Sequence, residues 1–216
     1  VKCDAEGNVI GLDLYSNSMQ GTIPDSFGLL TNLETVLFDY NLLYEELPLT
    51  FSNLTKLKTL DVHANYFTGS FPQVIFDLPN LQTLDLSFNT FNGQIPEKFE
   101  KLPMLEQLVL ENNRFSGSVP YSILNNLRKC EINLGFNQLS SIPWKKWTNK
   151  DGLARSTLVL SHNHLTGSLS PQIYWALAVD LFNNSISGSL PDYDQKDGDS
   201  KTLKVSFGSN DITGNL

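Results

Sequence analysis

Apolar residues in this chain come in pairs two positions apart, and the pairs return at a near-constant interval. Leu12/Leu14, Val36/Phe38, Leu60/Val62, Leu84/Leu86, Leu108/Leu110, Ile132/Leu134, Leu158/Leu160, Val179/Leu181 and Val205/Phe207 each enclose one residue, most often polar. Such alternation predicts a short strand with one face buried. An asparagine stands three places after each pair, at Asn17, Asn41, Asn65, Asn89, Asn113, Asn137, Asn163, Asn184 and Asn210, in steps of 24 five times, then 26, 21 and 26. An apolar residue follows each Asn at two places (Met19, Leu43, Phe67, Phe91, Phe115, Leu139, Leu165, Ile186, Ile212), and glycine at four, except at Glu45 and Ser141. Glycine there suits a backbone turning through positive φ.

Pairs such as Ile23-Pro24, Leu47-Pro48, Phe71-Pro72 and Val119-Pro120 come next. Proline suits the first turn of a short helix, where its missing N–H had no helical partner. Phe27, Phe51, Ile75, Phe99, Ile123, Trp147 and Ile173, with Leu30, Leu54, Leu78 and Leu102, then supply one apolar helical face. Each unit is therefore a strand, a turn and a short helical return that cannot bury its apolar side alone. Stacked units share one elongated core, so the chain reads as a single solenoid over 1–216 with about nine repeats. The recurrent Asn has a physical reason in this arrangement: a buried amide donates and accepts at once, and so satisfies backbone groups of adjacent turns as a ladder.

The segment 81–102, LQTLDLSFNTFNGQIPEKFEKL, is similar to the plant-type, 24-residue leucine-rich repeat, and the likeness runs over nearly the whole chain. The family includes receptor-kinase and receptor-like ectodomains, inhibitors of wall-degrading polygalacturonases and an antifreeze protein. The resemblance implies an α/β repeat solenoid, curved, with a concave parallel β-sheet, short helical or 3-10 segments on the convex side, and an extracellular or cell-surface setting. Val1-Lys2-Cys3 resembles the end of the family's N-terminal cap motif W-x-G-V-x-C, and Leu216 falls mid-repeat. The expectation is a domain truncated at both ends, with Cys3 bonding a cap cysteine in the family manner.

Composition narrows the function. Net charge is -8 and charged residues are 18% of the 216, which offers nucleic acid no basic field; no apolar run is long enough to span a membrane. Cys3 and Cys130 are too few for a disulfide scaffold, and five turns at about 4.8 Å put them roughly 24 Å apart, beyond bonding reach. Cys130 reads as a buried free thiol. Asn53-Leu54-Thr55 and Asn183-Asn184-Ser185 are glycosylation sequons, the first on the convex side and the second beside the ladder.

Chemistry is sparse. His63 is four turns from His162 and His164, which flank Asn163 without an evident third ligand. Asp192, Asp194, Asp197 and Asp199 surround Gly198, but an EF-hand frame puts Tyr193 and Gln195 at ligand positions and Lys204 at the closing Glu. In Trp144-Lys145-Lys146-Trp147 the second tryptophan takes an inward core position, which leaves Trp144 and two lysines outside. No nucleophile elbow, phosphate loop or CxxC occurs. The reading is a non-enzyme with no cofactor and no metal.

What remains is the solvent side of the sheet. Its columns place Asp13, Asp61, Asp85 and Asp180 beside Tyr15, Asp39, His63, Glu111 and Phe182, with Tyr40, Phe88 and Phe136 alongside. Aromatic anchors among acceptors suit a protein, peptide or glycan partner. The function expected is a non-catalytic extracellular recognition module, most like a receptor ectodomain fragment. The R-x-R pair that many peptide-hormone receptors of the family carry does not occur. The alternatives are a soluble inhibitor of a cell-wall hydrolase and, on the threonines Thr35, Thr59 and Thr83 interrupted by Gln107 and Glu131, an ice-binding protein.

Overall fold

The computed structural model describes residues 1–127, 129–148, 156–192 and 204–214. One ten-stranded sheet runs the length of the chain in sequence order: Lys2–Cys3, Val9–Asp13, Thr35–Leu37, Thr59–Asp61, Thr83–Asp85, Gln107–Val109, Glu131–Asn133, Thr157–Val159, Ala178–Asp180 and Lys204–Ser206. The first pair is antiparallel and the rest are parallel with matched register, Leu60 facing Leu84 and Leu84 facing Leu108. Equivalent residues of successive repeats thus stand side by side, and the irregular steps are absorbed without a register slip, since Leu158 still faces both Ile132 and Val179.

Three further three-stranded sheets, which the periodicity did not announce, follow the ladder positions: one through Leu42–Glu45, one through Arg114–Ser118 and one through Ser185–Gly188. The seven glycines four places after a ladder Asn all adopt positive φ there, between 74° and 122°. Returns are 3-10 segments, Asp25–Leu29, Leu49–Asn53, Gln73–Asp77, Phe99–Lys101, Trp144–Lys146 and Pro171–Trp175, with one α-helix at Tyr121–Asn126. The prolines sit one residue earlier than expected: Pro24, Pro48, Pro72 and Pro120 are extended N-cap residues. Their carbonyls accept the N–H three residues on, as Phe51 donates to Pro48 at 3.1 Å. Only Pro171 occupies the first helical turn.

One apolar core extends from Ile23 to Ile186. Phe67, Phe91 and Phe115 stack as a spine, with ring centroids 6.2 and 6.3 Å apart and planes within 5° of parallel. Trp147 is 1% exposed, inward as its repeat position requires. Its Nε1 has no hydrogen-bond partner among the described residues. Trp144 stacks on Trp147 at 6.0 Å and is half-buried, so only Lys145 and Lys146 of that motif stand fully outside.

The asparagine ladder lies at the end of the long sheet. Asn89 Nδ2 donates to Val62 O one turn back (3.0 Å) and to Leu86 O and Ser87 O of its own turn (3.2 and 3.0 Å), while Oδ1 accepts from Phe67 N (2.9 Å). Asn41, Asn65, Asn113, Asn137 and Asn163 repeat the scheme and are buried. Asn184 and Asn210 make equivalent bonds while half-buried. Asn17 departs from the expectation: it is exposed and its amide donates only to Tyr15 O, at 3.0 Å. The other amides reach back to a parallel repeat before them, whereas the strand standing before that of Asn17 is the antiparallel Lys2–Cys3.

Candidate functional site

The open face of the long sheet carries the residues between the inward pairs. Its first column is held by local hydrogen bonding. The side-chain Oδ1 of Asp13, Asp61, Asp85, Asn133 and Asp180 accepts the N–H two residues on, from Tyr15, His63, Ser87, Gly135 and Phe182, at 2.9 to 3.2 Å. Each of these carboxylates therefore has one oxygen engaged in shaping its strand end and one left for solvent or a partner. Glu111 is engaged as well, accepting from Asn133 Nδ2 at 2.8 Å.

The residue just before each ladder Asn has a second structural signature. Ser16, Tyr40, Ala64, Phe88, Asn112, Phe136, His162, Asn183 and Ser209 all adopt left-handed φ between 51° and 55°, a conformation costly for residues with a Cβ. The turn compels it, since the next residue must aim its amide into the ladder. Side chains at these positions are thrown outward as a ridge. Tyr40, Phe88 and Phe136 stand exposed on it, and the stack Phe136–His162, 4.0 Å between centroids, continues to Phe182 at 5.5 Å. At the other end Tyr15 packs edge-on to Tyr40 and Tyr40 to His63, at 5.6 and 4.8 Å.

Between the two aromatic groups the face turns acidic and partly dry. His63 Nδ1 lies 2.7 Å from Asp61 Oδ1 and 4.0 Å from Asp85 Oδ2. Burial raises the Asp61 carboxyl above its ordinary pKa, opposed by the hydrogen bonds from His63 and helped by the charge of Asp85. Asp39, expected at the surface, is only 8% exposed. It sits among the turns on either side, and one ligand atom each from Asp39, Asp61 and His63 fall within 4.8 Å of one another. The periodicity placed these residues in columns but gave no sign that three of them converge.

A family profile described as leucine rich repeat matches residues 48–115, and a second matches residues 8–30. The fold superimposes on a TDR receptor with TM-score 0.85 and 29% identity, covering 96% of this chain and 36% of that one. The chain is a leucine-rich repeat protein. It is also similar to the ectodomain of the Arabidopsis receptor kinase HAESA, solved with an IDA peptide hormone ligand (TM-score 0.81, 31% identity, 96% of this chain and 35% of that one). A plant ice-binding protein matches with TM-score 0.68 and 25% identity over 100% of this chain and 77% of that one. The leucine-rich repeat chain spans roughly a third of the first two. No curated protein matches it by sequence.

The other sequence-derived positions fall as follows in this leucine-rich repeat protein. Asn53, itself exposed, ends the 3-10 segment Leu49–Asn53, whose Phe51 faces the core, on the side away from the long sheet. Asn183 is exposed on the ridge, with Nδ2 2.8 Å from His162 Nδ1. His162 and His164 part company: the former joins the aromatic stack and the latter is exposed beyond the ladder. Cys3 is exposed, Cys130 is buried, and both are free. Of the acidic cluster around Gly198, Asp194, Asp197 and Asp199 lie outside the described residues, as do Tyr193 and Gln195. No helix among the described residues is long and apolar enough to cross a membrane.

Proposed function

We propose that this leucine-rich repeat protein is a non-catalytic recognition module of the cell exterior whose open sheet face docks an extended peptide or a protein segment. One observation carries the reading: Tyr15, Tyr40, Phe88 and Phe136 remain 55%, 56%, 51% and 43% exposed in neighbouring columns of a face otherwise lined by polar groups. A soluble chain gains nothing from a row of exposed aromatics unless something covers them. The columns formed by Asp13, Tyr15 and Tyr40 and their equivalents hold no lysine or arginine, so the partner suited to the face is basic or rich in hydrogen-bond donors. The HAESA ectodomain, similar in fold, is solved with a peptide hormone ligand, which supports a peptide as the class of partner. The ice-binding alternative has less support, because the in-register Thr35, Thr59 and Thr83 give way to Gln107 and Glu131.

The test is selection of binders from a displayed random-peptide library on the immobilised chain. Phe88→Ala combined with Phe136→Ala is expected to weaken the selected peptides by about tenfold or more. Peptides held equally well by the double variant would remove this face from consideration.

A further inference from the structure

Asp39 presents a problem that peptide docking does not solve. Its residue is more than nine-tenths buried, yet among the described residues its carboxylate accepts no hydrogen bond and makes no ion pair. The carboxylate is not sealed from solvent, since Trp147 Nε1 is the single fully buried side-chain polar atom without a partner among the described residues; an acceptor that meets no protein donor at the mouth of a crowded acidic cleft is open to a cation. The neighbouring groups deepen the problem, for Asp61 and Asp85 add negative charge and only His63 can offset it.

We propose that Asp39, Asp61 and His63, with Asp85 at the edge, form a binding site for a divalent transition-metal ion of the Zn2+ type. Each of the three offers one ligand atom within 4.8 Å of the others. Ligand atoms around tetrahedral zinc stand about 3.4 Å apart, given bonds of about 2.0–2.2 Å. Small rotations of Asp and His side chains close that difference. Asp85 has Oδ1 held by Ser87 N and Oγ at 2.9 and 2.5 Å, while Oδ2 is turned toward His63 Nδ1. The imidazole separates this ligand set from the all-oxygen sites of Ca2+ and Mg2+. The ligands come from three successive turns, so the ion would clip them together on the open face. The site stands whether or not a peptide docks beside it.

The test uses the whole chain stripped with EDTA and titrated calorimetrically with Zn2+ alone, with thermal unfolding as a second readout. One ion per chain is expected, with a rise in melting temperature. Asp39→Asn and His63→Gln should each weaken binding by at least about tenfold and abolish the rise, while Asp13→Asn leaves both unchanged. Circular dichroism in EDTA checks that the variants fold; if Asp39→Asn does not, His63→Gln alone decides. Absence of Zn2+ binding up to about 1 mM, binding that survives both substitutions, or Ca2+ binding as tightly with His63→Gln unaffected would each overturn the site.

Discussion

At the scale of single residues, the same amino acid does different work according to whether a parallel repeat precedes it. Asn89 satisfies four backbone groups, so Asn89→Ala orphans buried donors and acceptors and is expected to lose about 1–3 kcal/mol in urea unfolding. Asn17 is exposed and bonds one carbonyl; Asn17→Ala should cost under about 0.5 kcal/mol. Equal losses at the two positions would mean that the ladder is not the source of the stability. Cys130 makes a second contrast. Burial, with the charges of Glu131 and Glu106, pushes its thiol up to about 12. Almost no thiolate exists at pH 8, and an alkylating reagent should modify Cys3 in the native protein and reach Cys130 only after unfolding. Native-state mass spectrometry with two labels per chain would contradict that.

At the scale of the element, the turn after each ladder residue decides how well a repeat closes. Seven repeats put glycine where the backbone has positive φ, and the second repeat puts Glu45 there at φ 70°. The left-handed conformation costs a residue with a Cβ about 1–2 kcal/mol, part of which is offset by the greater freedom glycine loses on folding. Glu45→Gly should therefore stabilise the chain by about 0.5–1 kcal/mol, measured as a shifted urea midpoint with unchanged slope. A fall in stability would show that the Glu45 side chain contributes more than its backbone strain costs. The 3-10 segments carry a further expectation. Asn53 closes one of them on the exposed side, whereas the amide of Asn183 already bonds His162. Secreted from a eukaryotic host, the chain should bear a glycan removed by Asn53→Gln, read as a loss of mass.

At the scale of the whole molecule, parallel stacking turns a weak feature of each repeat into a continuous surface. One aspartate per turn is an ordinary solvated residue, but Asp13, Asp39, Asp61, Asp85 and Glu111 fall along adjacent turns of one face. The proposed docking face would therefore favour a basic partner, through a field that salt screens with a Debye length near 8 Å at about 0.15 M ionic strength. With EDTA present, to separate charge from any bound ion, Asp61→Asn together with Asp85→Asn should weaken a basic peptide selected on this face. The loss should shrink as salt rises from about 0.05 to 0.5 M. A salt-independent loss would assign the two residues a structural role.

The repeat period and the inward pairs were legible because a strand buries every second residue and stacking imposes the same demand on every turn. The ladder asparagines and the positive-φ glycines followed for the same reason, since local backbone need recurs at a fixed place in each unit. The sequence thus determined the solenoid, its core residues and which side chains share a column. Three features were decided only in the folded chain. The left-handed ridge has no residue signature, being occupied by Tyr, Phe, Ala, Asn, His and Ser alike, because the following amide and not the side chain compels it. The exposure of Asn17 goes with the antiparallel strand Lys2–Cys3, and not a parallel repeat, standing before it. The burial of Asp39 and its convergence on Asp61 and His63 depend on how side chains of two neighbouring turns lean across the strands, and a distance between turns is not a property that spacing along one strand can encode.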